Sequence, residues 1–125
     1  FLYYAVKDRY FSGKMLSNDL KADDSSLPYV TIQLPIFNER LVVRRLVDSV
    51  MRVNYPKHLL EIQVLDDSTD DTTDIVRELV GKYQARGFDI KLIHRDDRVG
   101  FKAGALEAGL HVCQGEFVGI FDSGF

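Results

Sequence analysis

Hydrophobic positions along this chain switch repeatedly between a period of two and a helical period, and the switches mark its elements. Val30, Ile32 and Leu34 alternate within residues 29–34 and predict a first strand. Pro35 is expected to stop its ladder, because proline has no N–H to donate. Asn38 can cap a helix whose apolar stripe is Val43, Leu46, Val47, Val50 and Met51. Arg44, Asp48 and Arg52 lie on the opposite side of that helix, four apart and able to pair. Asn54-Tyr55-Pro56 ends it. Ile62, Val64 and Leu65 form a second strand that runs straight into Asp66 and Asp67. Ser68 to Thr72 supply helix-start residues, and Ile75, Val76, Leu79, Val80 and Tyr83 make the next stripe, with Gly87 as its stop. Residues 90–93 are a third strand, ending in His94-Arg95. A loop over 96–102 leads to a third helix with Ala103, Leu106, Leu110 and Cys113 expected inward, closed by Gly115. Phe117, Val118, Ile120 and Phe121 make a fourth strand. The order β-α-β-α-β-α-β, with helices of ten to fifteen residues between strands, predicts a parallel sheet with right-handed crossovers and helices on both faces.

Ahead of this pattern, residues 1–11 are aromatic and mildly basic. They fit either a membrane-interface flank or a short helix packed on the domain. Residues 12–28 are polar and read as a linker. The expected organisation is a flank and linker over 1–27 and one α/β unit over 28–125. The chain opens on Phe1 and closes at Phe125, three residues past Asp122, so it reads as a segment of something longer.

Composition narrows the function. The chain has 125 residues, a net charge of −3 and no long Lys/Arg tract, which argues against nucleic acid as a partner. Cys113 is the only cysteine, so neither an internal disulfide nor a cysteine-built metal site can form. His58, His94 and His111 lack metal-ligand spacing. No apolar run reaches the ~18 residues a membrane span needs, and no signal peptide is visible.

What chemistry the chain carries collects after each strand. Pro35 to Glu39 follow the first, Asp66-Asp67-Ser68 the second, Arg95 and then Gly100 and Lys102 the third, and Asp122 the fourth. In a parallel sheet these ends share one edge, which is where open α/β sheets bind ligands. Asp67, Asp122, Arg95 and Lys102 are therefore expected in one crevice. Acids beside bases suit a phosphate-bearing ligand with a divalent cation. The plainer reading is that Asp66 and Asp67 only complement the following helix dipole. Residues 100–104, Gly-Phe-Lys-Ala-Gly, match neither the dinucleotide fingerprint nor the P-loop, which disfavours both chemistries.

Together, Pro35-Ile36-Phe37-Asn38-Glu39, Val64-Leu65-Asp66-Asp67-Ser68-Thr69-Asp70, residues 95–106 and Phe121-Asp122 resemble the family-2 inverting glycosyltransferases. The nearest likeness is to the processive, membrane-bound branch of cellulose synthase-like and glucomannan β-mannosyltransferases. The resemblance implies a GT-A fold, incomplete at the C-terminus, and a UDP- or GDP-linked sugar donor whose hexose passes with inversion to a growing β-linked polysaccharide. It implies that Pro35 and Glu39 line the nucleoside pocket, that Asp67 meets the base edge with Asp66 beside it, and that Arg95 and Lys102 approach the nucleotide and its diphosphate. Asp122 is implied as the first carboxylate of an Asp-x-Asp motif that holds Mg2+ or Mn2+. The chain departs from the pattern here: Asp122-Ser123-Gly124-Phe125 puts Gly124 where the second carboxylate belongs, so metal affinity is expected to be weakened or lost. No catalytic base is expected in this segment, so it is expected to be inactive alone. In the full-length protein the resemblance implies membrane association through flanking segments, with a cytoplasmic catalytic domain. Three alternatives are a sugar-nucleotide nucleotidyltransferase, a receiver-like signalling module, and a degenerate nucleotide-binding domain. The first usually carries a Gly-rich basic loop after its first strand, and the second places its acid pair there.

Overall fold

The computed structural model describes residues 2–6, 9–12 and 27–121. In order the elements are β1 (Leu2–Val6), β2 (Arg9–Ser12), β3 (Val30–Ile36), α1 (Val43–Met51), β4 (Leu60–Asp66), α2 (Thr72–Ala85), β5 (Ile90–His94), α3 (Phe101–Val112) and β6 (Phe117–Phe121). The strands form one sheet of order β2-β1-β6-β3-β4-β5. Its parallel part is the four strands expected from the sequence, with β3 between β6 and β4, and β5 beyond β4.

The two N-terminal strands replace the short helix considered for residues 1–11. β1 runs antiparallel to β6, from Leu2 opposite Phe121 to Val6 opposite Phe117, and β2 runs antiparallel to β1. Without β1, the far side of β6 would be an open edge with unpaired backbone groups. A segment rich in Tyr, Phe and Val is suited to cover it. The predicted polar linker falls largely on residues 13–26, outside the described residues.

β3 and β4 are buried along their whole length, as expected of central strands covered on both faces. The two faces differ in chemistry. Val30, Ile32, Leu34 and Ile36, with Leu60, Ile62 and Val64, pack against Val43, Val47 and Val50 of α1 and Val76, Leu79 and Val80 of α2. The charged row on α1 serves the same packing, because Asp48 accepts the Tyr83 hydroxyl at 2.5 Å and Arg44 reaches Glu78 at 3.9 Å. β3 also runs on through Pro35, which pairs with Leu65. Its ladder with β6 ends at Gln33, so the missing N–H of Pro35 lies beyond the last residue that needs two partners.

The opposite face carries a polar layer beside Leu65, Val118 and Ile120. Thr31, Gln33, Glu61 and Gln63 are all buried there under α3. Gln33 Nε2 donates to Gln63 Oε1 at 3.0 Å and to the Leu106 carbonyl at 3.1 Å, and Gln63 Nε2 donates to the Gly109 carbonyl at 3.0 Å. The helix is thus seated on two glutamines through its own backbone. That corrects its predicted inward face: Ala105 and Gly109 are buried, Ala103 is exposed, and Leu106, Leu110 and Cys113 are half-buried. Only residues without bulk let the backbone come this close. A Cβ on Gly109 would stand 2.5 Å from Gln33 Nε2 and 2.6 Å from Gln63 Oε1.

Gly109→Ala should therefore lift α3 from the glutamine layer. The expected loss is roughly 1–3 kcal/mol, by overpacking and weakened buried hydrogen bonds. A fall of several degrees in the thermal midpoint checks it; an unchanged midpoint would count against this seating.

Candidate functional site

The parallel register brings Ile36, Asp66 and His94 level at the carboxyl edge of the sheet. Two further ladder bonds extend it by one residue: Asp67 N–H donates to the Ile36 carbonyl at 3.1 Å and Arg95 N–H to the Asp66 carbonyl at 3.0 Å. Phe37, Asp67 and Arg95 thus leave the sheet side by side.

Asp67 is 4% exposed, and its partner is Arg95. Nε donates to Oδ1 at 2.9 Å and Nη2 to Oδ2 at 2.7 Å, a two-pronged pair that fixes the carboxylate plane. Arg95 also donates to the carbonyls of Val99 at 2.9 Å and Phe101 at 3.0 Å. These four bonds use most of the five donors of a guanidinium. The Asp67 contact holds the Arg95 cation more strongly protonated than usual, against a smaller opposing effect of burial. Arg95 therefore faces Asp67 and the loop before α3.

Asp66 points the other way and is fully buried. Its Oδ1 accepts from Ser68 N–H at 3.1 Å, and its Oδ2 from Thr73 Oγ1 at 2.5 Å and His94 Nδ1 at 3.0 Å. His94 Nε2 meets Asp96 Oδ1 at 2.9 Å. Burial disfavours a charged His94 ring, but hydrogen bonds to Asp96 and Asp66 outweigh it and raise its pKa. The acid pair thus divides: Asp67 faces the cleft and Asp66 braces the loop beneath it.

Asn38 also takes a place the sequence pattern did not predict. It sits in the left-handed region, with φ 48°. Its Oδ1 accepts from Thr69 N–H at 2.8 Å and Asp70 N–H at 3.3 Å, while its own N–H donates to Ser68 Oγ at 2.8 Å. It caps the loop ahead of α2, not α1. α1 begins at Val43, where the Val42 and Val43 N–H groups converge on the Glu39 carbonyl. The Glu39 side chain folds back on Phe37 N–H at 3.2 Å.

Pro35, Phe37, Asp67, Arg98, Lys102 and Ala105 line a tight cleft of about 10 Å3 at this edge. Of the residues predicted to meet there, Pro35, Asp67 and Lys102 do so. Arg95 stands beside them, Asp66 beneath and Glu39 at the loop base. Asp122 lies outside the described residues. Among the described residues no group of three or more His, Cys, Asp or Glu side chains is placed to hold a metal ion, so these residues alone do not fit one. Nor is any described helix long and apolar enough to cross a membrane. Phe37 and Arg98 were not predicted as site residues. The Arg98 guanidinium carbon lies 3.6 Å from the Phe37 ring centroid, a stacked cation–aromatic contact that spacing along the chain does not reveal.

A family model described as glycosyl transferase family 2 matches residues 31–123. Glucomannan 4-beta-mannosyltransferase 9 of Arabidopsis thaliana is 38% identical over 122 residues, covering 94% of this chain and 23% of the relative. Glucomannan 4-beta-mannosyltransferase 1 of Oryza sativa subsp. japonica is 37% identical over 121 residues, with the same coverage of each. The chain thus spans about a quarter of the length of these relatives. Among solved structures, the mannosyltransferase PcManGT from Pyrobaculum calidifontis, in complex with GDP-Man and Mn2+, superposes with a TM-score of 0.68 at 32% identity, over 80% of this chain and 28% of that one. A fragment of S. aureus TarS in complex with UDP gives 0.63 at 28% identity, over 75% and 27%.

Two changes test this geometry. Asp67→Asn leaves Arg95 half-partnered in a nearly enclosed site and should cost roughly 2–4 kcal/mol, somewhat less than for a fully enclosed pair, measured by urea unfolding. His94 titrates at a raised pKa in the fold, so its contribution is full below about pH 6.5 and is lost as pH rises through the folded value. Wild-type stability should therefore fall as pH rises above about 6.5, and His94→Gln should flatten that slope. An unaltered slope in the variant would show that His94 does not carry it.

Proposed function

The chain belongs to glycosyl transferase family 2, and from that premise we propose that residues 28–125 form the nucleotide-sugar-binding half of a GT-A glycosyltransferase. In the full-length protein it would pass a hexose with inversion from a GDP- or UDP-linked donor to a growing β-linked polysaccharide, at a membrane. The mannosyltransferase relatives, and the GDP-Man held by PcManGT, favour GDP-mannose as the donor.

The observation that carries this reading is Asp67. A carboxylate 4% exposed, with its plane fixed by Arg95, keeps lone pairs that can accept from the N–H edge of a nucleobase. Phe37 offers a ring face beside it, and Pro35 and Lys102 share the same cleft. Lys102, on the first turn of α3, brings a cation to the edge where a diphosphate would lie. Asp66 and Arg95 act as positioning residues in this reading, and Glu39 orders the Pro35–Glu39 loop that borders the cleft. Asp122 supplies one carboxylate toward Mg2+ or Mn2+, and Gly124 leaves that site short of a second. A bound divalent ion would neutralise charge on the diphosphate. No residue of this segment is assigned as the base that deprotonates an acceptor hydroxyl, so the segment binds donor without turnover.

Calorimetric titration of the chain with GDP and with UDP tests the proposal. The expected outcome is binding of at least one, weakened about tenfold or more by Lys102→Met, with Mn2+ improving affinity by less than about tenfold because Gly124 contributes no ligand. A chain shown folded by circular dichroism that binds neither nucleotide would overturn the reading.

A further inference from the structure

Above the cleft lies a contact that the proposed site does not explain. Arg98 stacks its guanidinium on Phe37, with the Phe101 ring centroid also 5.1 Å from the same carbon. Its backbone is in the left-handed region at φ 47°, as are Gly100 at 75° and Phe101 at 53°. Two non-glycine residues held in that region within four positions are a concentration of strain, and such strain gathers at ligand clamps and switch segments. The Nε of Arg98 is buried and has no hydrogen-bond partner among the described residues. A buried donor without an acceptor calls for a particular explanation.

We infer that Arg98 is the movable half of a stacking clamp that closes on the nucleobase of the donor, with Phe37 as the fixed half. This rests on the nucleotide-binding reading above. The present cleft, of about 10 Å3, has room for little more than a water molecule, far less than the sites that enclose small ligands, so something must move to admit one. Phe37 cannot move freely, because its N–H is tied to Glu39 and its neighbours continue β3. Nor can the far side of the loop, since Arg95 holds the carbonyls of Val99 and Phe101. A Cβ on Gly104 would stand 1.9 Å from the same Val99 carbonyl, so α3 abuts the loop there. The Arg98 side chain is what remains: long, half-exposed, and held mainly by ring contacts. Lifting it to twice the present 3.6 Å spacing opens a slot one aromatic plane thick, in the cleft that Asp67 also lines. A base entering it would stack on Phe37 from one side and on the guanidinium from the other. Its carbonyl oxygens, or the first phosphate, would give the orphan Nε an acceptor. Arg rather than Lys suits this place, because only a planar cation can continue a stack.

The test compares wild type, Arg98→Ala and Arg98→Lys, each checked for fold by circular dichroism. The ligands are GDP, UDP, guanosine, uridine and inorganic pyrophosphate. Arg98→Ala should weaken the preferred nucleotide and its nucleoside by the same factor, roughly 5–30-fold, and leave pyrophosphate unchanged. Arg98→Lys keeps the charge but not the plane, so it should behave like Arg98→Ala. Three results would overturn the clamp: nucleoside affinity untouched by either variant, loss confined to phosphate-bearing ligands with rescue by Lys, or tighter binding on removal, which would make Arg98 a mere obstruction. If wild type binds no nucleotide or nucleoside at all, the donor-binding reading itself fails and the clamp falls with it. The chain has no tryptophan, so Phe37→Trp provides a single emitter whose quenching on nucleoside addition reports stacking at that ring.

Discussion

The pairing of Asp67 with Arg95 is the constraint on which the carboxyl edge of this sheet depends. A carboxylate this enclosed is tolerable only with a partner that matches its geometry, and a guanidinium supplies two parallel donors. The same guanidinium then reaches two backbone carbonyls, Val99 just ahead of α3 and Phe101 on its first residue. One side chain therefore joins the end of β4, the end of β5 and the start of α3. Its effect is to convert three strand and helix ends that merely lie near one another into one fixed frame. The residue that the sequence pattern cast as a ligand for the diphosphate serves first as the brace of the cleft.

The placement of α3 follows from a second constraint, on the other side of the cleft. An apolar face would let this helix slide, because dispersion contacts among small side chains are not directional. The glutamine amides of Gln33 and Gln63 bind particular carbonyls, and so set both the height and the register of the helix. At the far end of the same face, Glu61 is fully buried. Burial pushes its carboxyl up, but donors from Gln114 N–H, Lys91 and Thr31 prevail and hold it below the usual range. Gln114 and Gly115 are thereby anchored where the chain leaves α3 and turns into β6. With both ends held, Lys102 falls at the cleft rather than one turn away. A buried polar layer is a poor source of net stability and a good source of a unique arrangement.

Much of this was legible in the sequence, for identifiable reasons. The four parallel strands and three helices showed because β3 and α1 carry clean periodicities of two and 3.6, and because each strand ends in chemistry rather than in more apolar residues. Asp67, Pro35 and Lys102 were legible as one edge because a parallel sheet leaves no other place for them. The misses have a common cause. Asn38 capping the wrong-seeming helix, Arg95 turned inward, and Arg98 stacked on Phe37 all depend on contacts between loops about 30 to 60 residues apart in the chain, and local pattern holds no information on those. The hairpin of β1 and β2 was missed because aromatic and basic residues suit an interface, a helix flank and an edge strand alike. The inward face of α3 was assigned by hydrophobicity, whereas the helix seats its backbone on Gln33 and Gln63 and so places small residues there instead.

The floor and the roof of the cleft are built on opposite principles. Beneath, Asp66 accepts from Ser68, Thr73 and His94, and Asn38 ties the loop after β3 to the loop after β4. Above, Arg98 holds a left-handed backbone, a stacked ring and a donor without a partner among the described residues. A site that must bind a rigid planar group gains from this arrangement. In the proposed site the floor would fix which edge of the ring is read, without reorganising when the ring arrives. The roof carries the strain, so it can open at little energetic cost and recover a hydrogen bond on closing. Were the strain below and the order above, the carboxylate proposed to read the base would be the part that moved. Discrimination requires that it stay still.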